Sequence, residues 1–119
     1  MQAKTLVMSE MDEVTCPFGR LLNVLGKPHT LSILYGLSVR SPLRFSELQK
    51  QLKIQPKTLA SRLHELTKIG LLDRKSYAEI PPRVEYQLTQ KGMDLKGIFA
   101  EAHLWSKKYG YDYKTARKP

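Results

Sequence analysis

The sequence predicts a mainly α-helical fold with a small β-wing, arranged as a winged helix-turn-helix. Three observations lead to this fold class. Leucines recur at helical spacing in two segments separated by a tight turn at residues 53–56, two strand-like segments follow Gly70, and a last helical pattern of apolar residues extends to residue 109. With 119 residues, the chain has the length of one domain that can bury its own core.

Two helices are predicted before the turn. Pro17 suits the first position of one helix and Gly26 its end, while Pro28 is expected to open the next helix and Ser41-Pro42 to end it. In the first helix Phe18, Leu21, Leu22 and Leu25 recur at helical spacing, and in the second helix Leu31, Leu34, Tyr35 and Leu37 are expected to face inward.

The next segment predicts the helix-turn-helix itself. Residues 43–45 are expected to form a short strand that pairs with the later hairpin, and Ser46 and Gln49 have the spacing of a capping box for a third helix. Pro56 is expected to start the fourth helix and Gly70 to end it. The leucines of the buried seam are Leu48 and Leu52 in the third helix and Leu59, Leu63 and Leu66 in the fourth.

The wing is predicted from two strands, Leu72–Tyr77 and Arg83–Leu88. Residues 78–82 separate them and contain two consecutive prolines, which cannot donate to a sheet ladder and so belong in the loop. Thr89 is a good N-cap for one last helix. That helix carries an apolar stripe about four turns long, made of Leu95, Ile98, Phe99, Ala102, Trp105 and Tyr109.

Charge is the unusual feature of the composition, with a net value of +9 and a pI near 9.8. Residues 41–91 hold ten Lys and Arg against five Asp and Glu, a balance of +5, whereas residues 1–40 hold four against three and residues 92–119 six against three. Because over half of the excess lies on the predicted helix-turn-helix and wing, a polyanionic partner is favoured over a charge that serves solubility alone.

Several classes of protein are disfavoured. No apolar run approaches the roughly 18–20 residues of a membrane span, no secretory leader opens the chain, and a single cysteine excludes an internal disulfide, so we expect a cytoplasmic protein. The histidines are far apart, and no nucleophile–base set or phosphate loop is present, so neither enzyme activity nor a metal or cofactor is expected. We divide the chain into an N-terminal arm at 1–14, the winged helix-turn-helix domain with its last helix at 15–109, and a basic tail at 110–119.

Short strings spread along the chain match a known family. They are Cys16-Pro17, Gly26-Lys27, Arg44-Phe45-Ser46-Glu47-Leu48, Pro56-Lys57-Thr58-Leu59, Arg62-Leu63, Glu65-Leu66, Gly70-Leu71, Ile80-Pro81-Pro82-Arg83-Val84-Glu85-Tyr86, Leu88-Thr89 and Gly92. On these residues the chain resembles the HxlR-type regulators, a branch of bacterial and archaeal winged-helix transcription factors near the MarR proteins. The chain departs from the family at Pro28-His29, where a tryptophan is usual, and at Gln55, where serine is common.

The winged motif and the resemblance together predict a regulator that binds duplex DNA and represses by covering a promoter. The candidate DNA-binding residues are Arg44, Ser46, Lys57, Thr58, Ser61, Arg62, Lys68, Arg74, Lys75, Arg83 and Lys91. Arg62 is expected either to pair with a guanine or to clamp a phosphate. Arg83 is expected either to enter a narrow minor groove or to pair with a carboxylate and hold the wing. A winged-helix module that binds an acidic protein instead of DNA is the alternative function.

The resemblance also implies a homodimer formed through the terminal helices. A small winged domain has limited core against which a four-turn apolar stripe could pack. The stripe is therefore expected to pack against a symmetric partner, and the alternative is that it belongs to the core of the monomer. Two recognition helices would then lie roughly 34 Å apart and read an inverted-repeat operator. The candidate interface residues are Leu21, Leu25, Leu95, Ile98, Phe99, Ala102, Trp105 and Tyr109.

Cys16 is a candidate sensor residue. It lies at the N-terminal edge of the first helix, one turn before Arg20, and both the helix dipole and a guanidinium stabilise the reactive thiolate. By resemblance, relatives use a cysteine at this place to sense quinones, aldehydes or hypochlorite, so a small electrophile or oxidant is the expected effector. The alternative is an inert, partly buried thiol.

Overall fold

The computed structural model describes residues 17–110, which form six helices and three strands. In chain order these are α1 (Pro17–Leu25), α2 (Thr30–Val39), β1 (Leu43–Arg44), α3 (Phe45–Leu52), α4 (Pro56–Lys68), β2 (Leu72–Tyr77), β3 (Arg83–Leu88), α5 (Gln90–Met93) and α6 (Lys96–Lys108). The predicted fold class, mainly α with a small β-wing, is confirmed. The predicted arm at 1–14, Cys16 and all but the first residue of the predicted tail lie outside the described residues.

The three strands form one antiparallel sheet in the order β1-β3-β2. Leu43 pairs with Tyr86 and Leu72 pairs with Leu88, which puts four apolar side chains on one face of the sheet. The short strand predicted at 43–45 is therefore present as β1, and it pairs with the wing as expected. Both predicted wing strands have the predicted limits.

The core lies between this face of the sheet and helices α2, α3 and α4. Helical spacing identified its main residues correctly, because Leu48, Leu59, Leu63 and Leu66 are all fully buried and Leu52 packs against them. Each buried leucine contributes roughly 1.5–3 kcal/mol of transfer free energy, so the seam fixes α4 firmly against the domain. Further buried residues are Ile33, Leu34, Leu37, Leu43, Leu71 and Leu72.

Two helix starts differ from prediction. The second helix begins at Thr30 and not at Pro28, because His29 adopts the left-handed conformation with φ 71°. The third helix begins at Phe45, where the backbone N–H of Arg44 donates to Glu47 Oε1 at 2.8 Å. The predicted Ser46–Gln49 capping box is therefore wrong, since Glu47 is the acidic residue that caps the helix.

The C-terminal segment is two helices and not the single one predicted. Thr89 is the N-cap as expected, with its hydroxyl accepting from Gly92 N at 3.1 Å, but α5 ends after one turn. A Cβ on Gly92 would lie 2.3 Å from the carbonyl oxygen of Leu71, so only glycine fits there and α5 is held against that backbone. Leu95 N–H then donates to Gly92 O at 3.0 Å, an i to i+3 bond that tightens the turn before α6.

Leu31 and Tyr35 of α2, which were predicted to face inward, are largely exposed, and so are Phe18 and Leu22 of the apolar pattern in α1. Phe18, Leu22, Leu31 and Tyr35 retain between 40% and 53% of their accessible surface. Helical spacing identified an apolar face on α1 and α2, but the core of the described chain does not cover all of it. Among residues 17–110, no helix is long and apolar enough to cross a membrane.

Candidate nucleic-acid interface

The second helix of the helix-turn-helix presents one continuous exposed face. The turn between α3 and α4 contains Lys53, whose left-handed conformation ends α3, and Gln55, which is extended just before Pro56. Spacings of three and four residues then place one set of side chains in a row opposite the buried leucines. We call this row the α4 stripe: Lys57, Ala60, Ser61, His64 and Lys68, all exposed.

Three of the predicted DNA-binding residues lie in this stripe, namely Lys57, Ser61 and Lys68. Neither lysine has an ion pair or hydrogen bond with any described residue. Ala60 and His64 were not predicted as binding residues. They could have been found from the sequence, because residues three and seven positions after Lys57 lie on the same side of a helix. The stripe therefore carries a cation at each end and small or hydrogen-bonding side chains between them.

The edge of α4 beside the stripe contacts the turn between α1 and α2. Arg62 Nε donates to the carbonyl oxygen of Pro28 at 3.0 Å, and Glu65 forms an ion pair with Lys27. Thr58 lies on the same half-buried edge, one turn before Arg62. Arg62 was predicted to contact a base or a phosphate. Its guanidinium also makes this hydrogen bond within the domain, which helps to set the position of α4.

Lys91 is also engaged within the domain. Its Nζ donates to the carbonyl oxygen of Ile69 at 2.8 Å, at the C-terminal end of α4. Gly70 follows with φ +85°, the left-handed conformation typical of a residue just after a helix. A cation at this end complements the partial negative charge of the helix terminus, so Lys91 acts as a cap for α4.

The two cations of strand β2 lie on opposite faces of the sheet, because side chains alternate along a strand. Arg74 pairs with buried Tyr86, so it lies on the face that packs against α4, and its Nη1 donates to Ser76 Oγ at 3.1 Å. Lys75 pairs with Glu85 on the outer face. Arg74 and Lys75 were predicted together as DNA-binding residues, but they lie on opposite faces of the sheet, and Arg74 is the one on the side of α4.

On the outer face of the sheet, two cations flank one carboxylate. Arg44 of β1 and Lys75 of β2 are the register partners of Glu85 on β3, and directly opposed side chains lie about 4.5–5.5 Å apart at Cβ. Ser46, two residues after Arg44, is exposed in the first turn of α3. Glu85 therefore offsets part of the positive field that Arg44 and Lys75 were predicted to supply.

Arg83 is held inside the wing. Its guanidinium carbon lies 3.9 Å from the centre of the Tyr77 ring, Nη2 is 3.1 Å from Glu79, and Nε is 3.6 Å from Glu85. Only 25% of the side chain is exposed. Of the two predicted roles of Arg83, this geometry matches pairing with a carboxylate. At the tip of the wing the fully exposed side chain is Ile80.

An apolar groove lies between α1, α2 and α6. Its volume is about 590 Å³, and the rings of Tyr35 and Phe99 meet edge to face in its wall with centroids 5.7 Å apart. We call it the α6 groove. It includes Leu22, Leu25, Leu31, Tyr35, Ile98, Phe99 and Ala102.

The predicted interface set is therefore divided. Leu25, Ile98, Phe99 and Ala102 line the α6 groove, whereas Leu95 packs against the core and Leu21 lines a different cavity. Trp105 and Tyr109 are mostly exposed near the end of α6, with their rings 5.3 Å apart. No residue of α6 is buried, so the helix leaves most of its apolar surface uncovered within residues 17–110. Over the same residues, no cluster of three His, Cys, Asp or Glu could hold a metal ion.

The sequence matches a known family of regulators. The model of the HxlR-like helix-turn-helix family matches residues 24–114. An uncharacterised HTH-type transcriptional regulator of Halalkalibacterium halodurans is 43% identical over 93 residues, which is 77% of this chain and 82% of that protein.

Solved structures of regulators have the same fold. The reduced form of the transcriptional regulator YodB from Bacillus subtilis superposes with a TM-score of 0.69 at 32% identity, covering 78% of this chain and 91% of YodB. Quinone-bound YodB superposes with a TM-score of 0.67 at 30% identity, covering 77% of this chain and 96% of YodB. The redox regulator HypR in its oxidised form superposes with a TM-score of 0.66 at 30% identity, covering 78% of this chain and 96% of HypR.

Proposed function

The chain belongs to the HxlR-like helix-turn-helix family of transcriptional regulators, and from this premise we propose that it represses transcription by inserting α4 into the major groove of a specific duplex. The observation that carries the proposal is the α4 stripe. It is the exposed side of a helix whose other side is locked into the core by Leu59, Leu63 and Leu66. A rigid helix with such a face is suited to a fixed docking geometry.

The dimensions of the stripe suit the groove. Lys57 and Lys68 are eleven residues apart, or about 16 Å along the helix axis, while the major groove is about 12 Å wide. The two lysines would therefore meet phosphates on either side of the groove, where contacts position the protein without reading sequence. Ser61 and His64 would face base edges, and the methyl group of Ala60 suits a thymine methyl.

The wing would add contacts on the α4 side of the sheet. Arg74 is the cation there, and Ile80 at the tip offers an apolar surface of the kind that enters a minor groove. Arg83 would support the wing from inside, because its guanidinium is engaged with Tyr77 and two carboxylates. Arg44 and Lys75 would contribute mainly through the surrounding field, which Glu85 reduces.

A second copy of the chain would cover the α6 groove. An exposed, contiguous apolar surface on a soluble domain marks an interaction site, and a two-fold dimer lets each copy cover the other. Leu31 and Tyr35 of α2 would join Ile98 and Phe99 of α6 in that contact. The pair of α4 helices would then address an inverted repeat with half-sites roughly 34 Å apart.

Cys16 would carry the signal that controls DNA binding. The support is twofold: YodB has been solved bound to a quinone, and HypR is a redox regulator solved in an oxidised form. Cys16 is the single cysteine of the chain. A switch would therefore require alkylation, a mixed disulfide, or a Cys16–Cys16 bridge between subunits. We place the protein in the cytoplasm, where such a thiol is kept reduced.

Salt-dependent DNA binding tests the central proposal. Bound genomic fragments would be selected first, and the affinity of the best duplex measured by fluorescence anisotropy between about 50 and 200 mM salt. Lys57→Ala and Lys68→Ala should each reduce the slope of log affinity against log salt by about 0.9, because each removes one phosphate contact. Lys107→Ala, on α6, is the matched control and should leave the slope unchanged. Equal binding of selected and random duplexes would instead favour the protein–protein module.

A further inference from the structure

The short turn between α1 and α2 has contacts on two sides of the molecule. It consists of residues 26–29, and we call it the α1–α2 turn. Leu25 immediately before the turn and Leu31 shortly after it line the α6 groove. Lys27 and Pro28, within the turn, contact α4 instead. The turn therefore lies between the surface proposed to join two subunits and the helix proposed to enter DNA.

Two bonds of different kinds connect the turn to α4. Lys27 forms an ion pair with Glu65, and the carbonyl oxygen of Pro28 accepts from Arg62 Nε at 3.0 Å. The side chains of the ion pair are 39% and 26% exposed, so solvent screens their attraction only in part. Arg62 and Glu65 are three residues apart and lie on one side of α4, next to the α4 stripe.

These bonds supply a restraint that the leucine seam of α4 lacks. Burial of apolar surface is non-directional, so the seam holds α4 against the core without a preferred direction. Hydrogen bonds have preferred angles, and the two bonds are made one helical turn apart along the edge of α4. A helix held at two such points cannot pivot about either of them, so its tilt and its rotation are both restrained.

Backbone hydrogen bonds hold the α1–α2 turn itself in one conformation. Lys27 N–H donates to the carbonyl oxygen of Val24 at 3.2 Å, and Thr30 N–H donates to the carbonyl oxygen of Lys27 at 3.2 Å. His29 adopts the left-handed conformation with φ 71°, which a non-glycine residue keeps only where its surroundings determine it. A turn restrained in this way passes the orientation of α1 and α2 on to α4.

We propose that the α1–α2 turn fixes the half-site spacing that the dimer accepts, with Lys27 as the positioning residue. This inference deepens the proposed function and rests on it, because it needs a dimer that reads an inverted repeat. The subunit contact would hold α1 and α2, and the turn would hold α4 to them, so the distance and the angle between the two α4 helices would be set. One inserted base pair moves the half-sites about 3.4 Å apart and rotates them by about 35°, which two rigidly held helices do not follow.

Operators lengthened or shortened by one base pair between the half-sites measure the accepted spacing. We expect the full-length wild type to lose at least about tenfold in affinity on either, because half-sites that cannot be engaged together lose the gain from joining them. Lys27→Glu places a carboxylate against Glu65 and should remove most of that loss. Lys27→Glu combined with Glu65→Lys restores opposite charges and should restore the loss. An equal spacing penalty in the wild type and in Lys27→Glu would overturn the proposal.

Control variants separate positioning from charge and from stability. Lys96→Glu makes the same change of charge in a different surface depression and should keep the spacing penalty of the wild type. Lys27→Met removes the cation without adding a charge, and it replaces Lys27→Glu if that variant does not fold. If Lys27 served folding alone, denaturant unfolding would show a less stable protein with the spacing penalty of the wild type, and this result would contradict the proposal.

Distances between spin labels test the turn without DNA. A label at Lys68→Cys in a Cys16→Ser background reports the separation of the two α4 helices by electron paramagnetic resonance. Lys27→Glu should broaden the distribution of distances, and equal widths would end the proposal. If the dimer formed but bound no duplex, the proposed DNA binding would fail, and this measurement would still decide the inference. A chain that stayed monomeric in sedimentation equilibrium would overturn both the proposed assembly and the inference.

Discussion

Arg62 of the recognition helix donates a hydrogen bond from Nε to the carbonyl oxygen of Pro28, 3.0 Å away and 34 residues earlier in the chain. One turn later, Glu65 pairs with Lys27 in the same α1–α2 turn. The turn that carries the left-handed His29 thus supports one edge of α4. In this arrangement the guanidinium of Arg62 orients the helix and retains two Nη groups for a phosphate.

We therefore expect Arg62→Ala to weaken DNA binding by a similar factor on every sequence. Removal of the Nε bond costs about 0.5–1.5 kcal/mol of folding free energy and loosens the α4 edge, and neither effect depends on the base sequence. Anisotropy titrations against a panel of single-base operator variants measure this. A loss of about 1–3 kcal/mol confined to one base pair would show instead that Arg62 reads that base.

Arg74 and Lys75 form a matched pair for testing which face of the wing meets DNA. Arg74→Ala should reduce the salt slope by about 0.9, because Arg74 lies on the face that packs against α4. Lys75→Ala removes the same charge from the adjacent position on the other face and should change the slope much less. An equal reduction by both substitutions would mean that the wing contributes only its net charge.

Arg83 should matter to DNA binding through the shape of the wing. Arg83→Met removes the contact with the Tyr77 ring and leaves Glu79 and Glu85 without their shared cation. We expect a loss of about 1 kcal/mol of folding free energy, because cation–π contacts and partly exposed ion pairs are each worth about 0.5–1 kcal/mol. Denaturant unfolding measures it.

The salt slope separates this role from a direct contact. If Arg83 only supports the wing, Arg83→Met should bind DNA with a lower affinity but with the same salt dependence as the wild type. A slope reduced by about 0.9, with folding stability intact, would identify Arg83 as a phosphate contact.

Much of this architecture could be predicted from sequence, for identifiable reasons. The leucines of α4 recur at helical spacing, and the paired prolines at 81–82 separate two strands, so both elements follow from local patterns. The partners of Arg62 and Lys91 could not be predicted, because they are distant in sequence and meet only in the folded chain. For Arg83, pairing with a carboxylate was one of two predicted roles, and the sequence alone did not choose between them.

The apolar face of α2 shows a second limit of prediction from the sequence. Spacing identified Leu31 and Tyr35 as members of an apolar surface, but a pattern of residues does not say what covers that surface. Leu34 and Leu37 on the same helix are buried in the core, while Leu31 and Tyr35 line the α6 groove. The break between α5 and α6 was not predicted, and neither was the close approach of Gly92 to the backbone of Leu71, which is distant in sequence.

Oxidants and electrophiles should act through Cys16. A quinone or hypochlorite should release the wild-type protein from its operator, and Cys16→Ser should remain bound, because alkylation or oxidation requires the thiolate. Anisotropy follows the release, and mass spectrometry identifies the adduct. Release of both proteins at the same concentration of reagent would discard Cys16 as the sensor.

Assembly through the α6 groove predicts different outcomes for two substitutions on one helix. Ile98 lines the groove, and Ile98→Glu should dissociate the dimer, because a carboxylate in an apolar contact must be desolvated without a partner. Leu104 is similarly exposed but does not line the groove, so Leu104→Glu should leave the dimer intact. Sedimentation equilibrium measures the assembly state of each variant.

The same pair of variants tests how assembly supports recognition. A monomer engages one half-site, so Ile98→Glu should bind an inverted repeat no more tightly than a single half-site, whereas Leu104→Glu should retain the difference. If Ile98→Glu remained dimeric with full affinity, the subunit contact would have to lie on another surface. In the proposed dimer, the effective concentration gained by joining two α4 helices would be the advantage of an apolar surface that α6 leaves uncovered in the single chain.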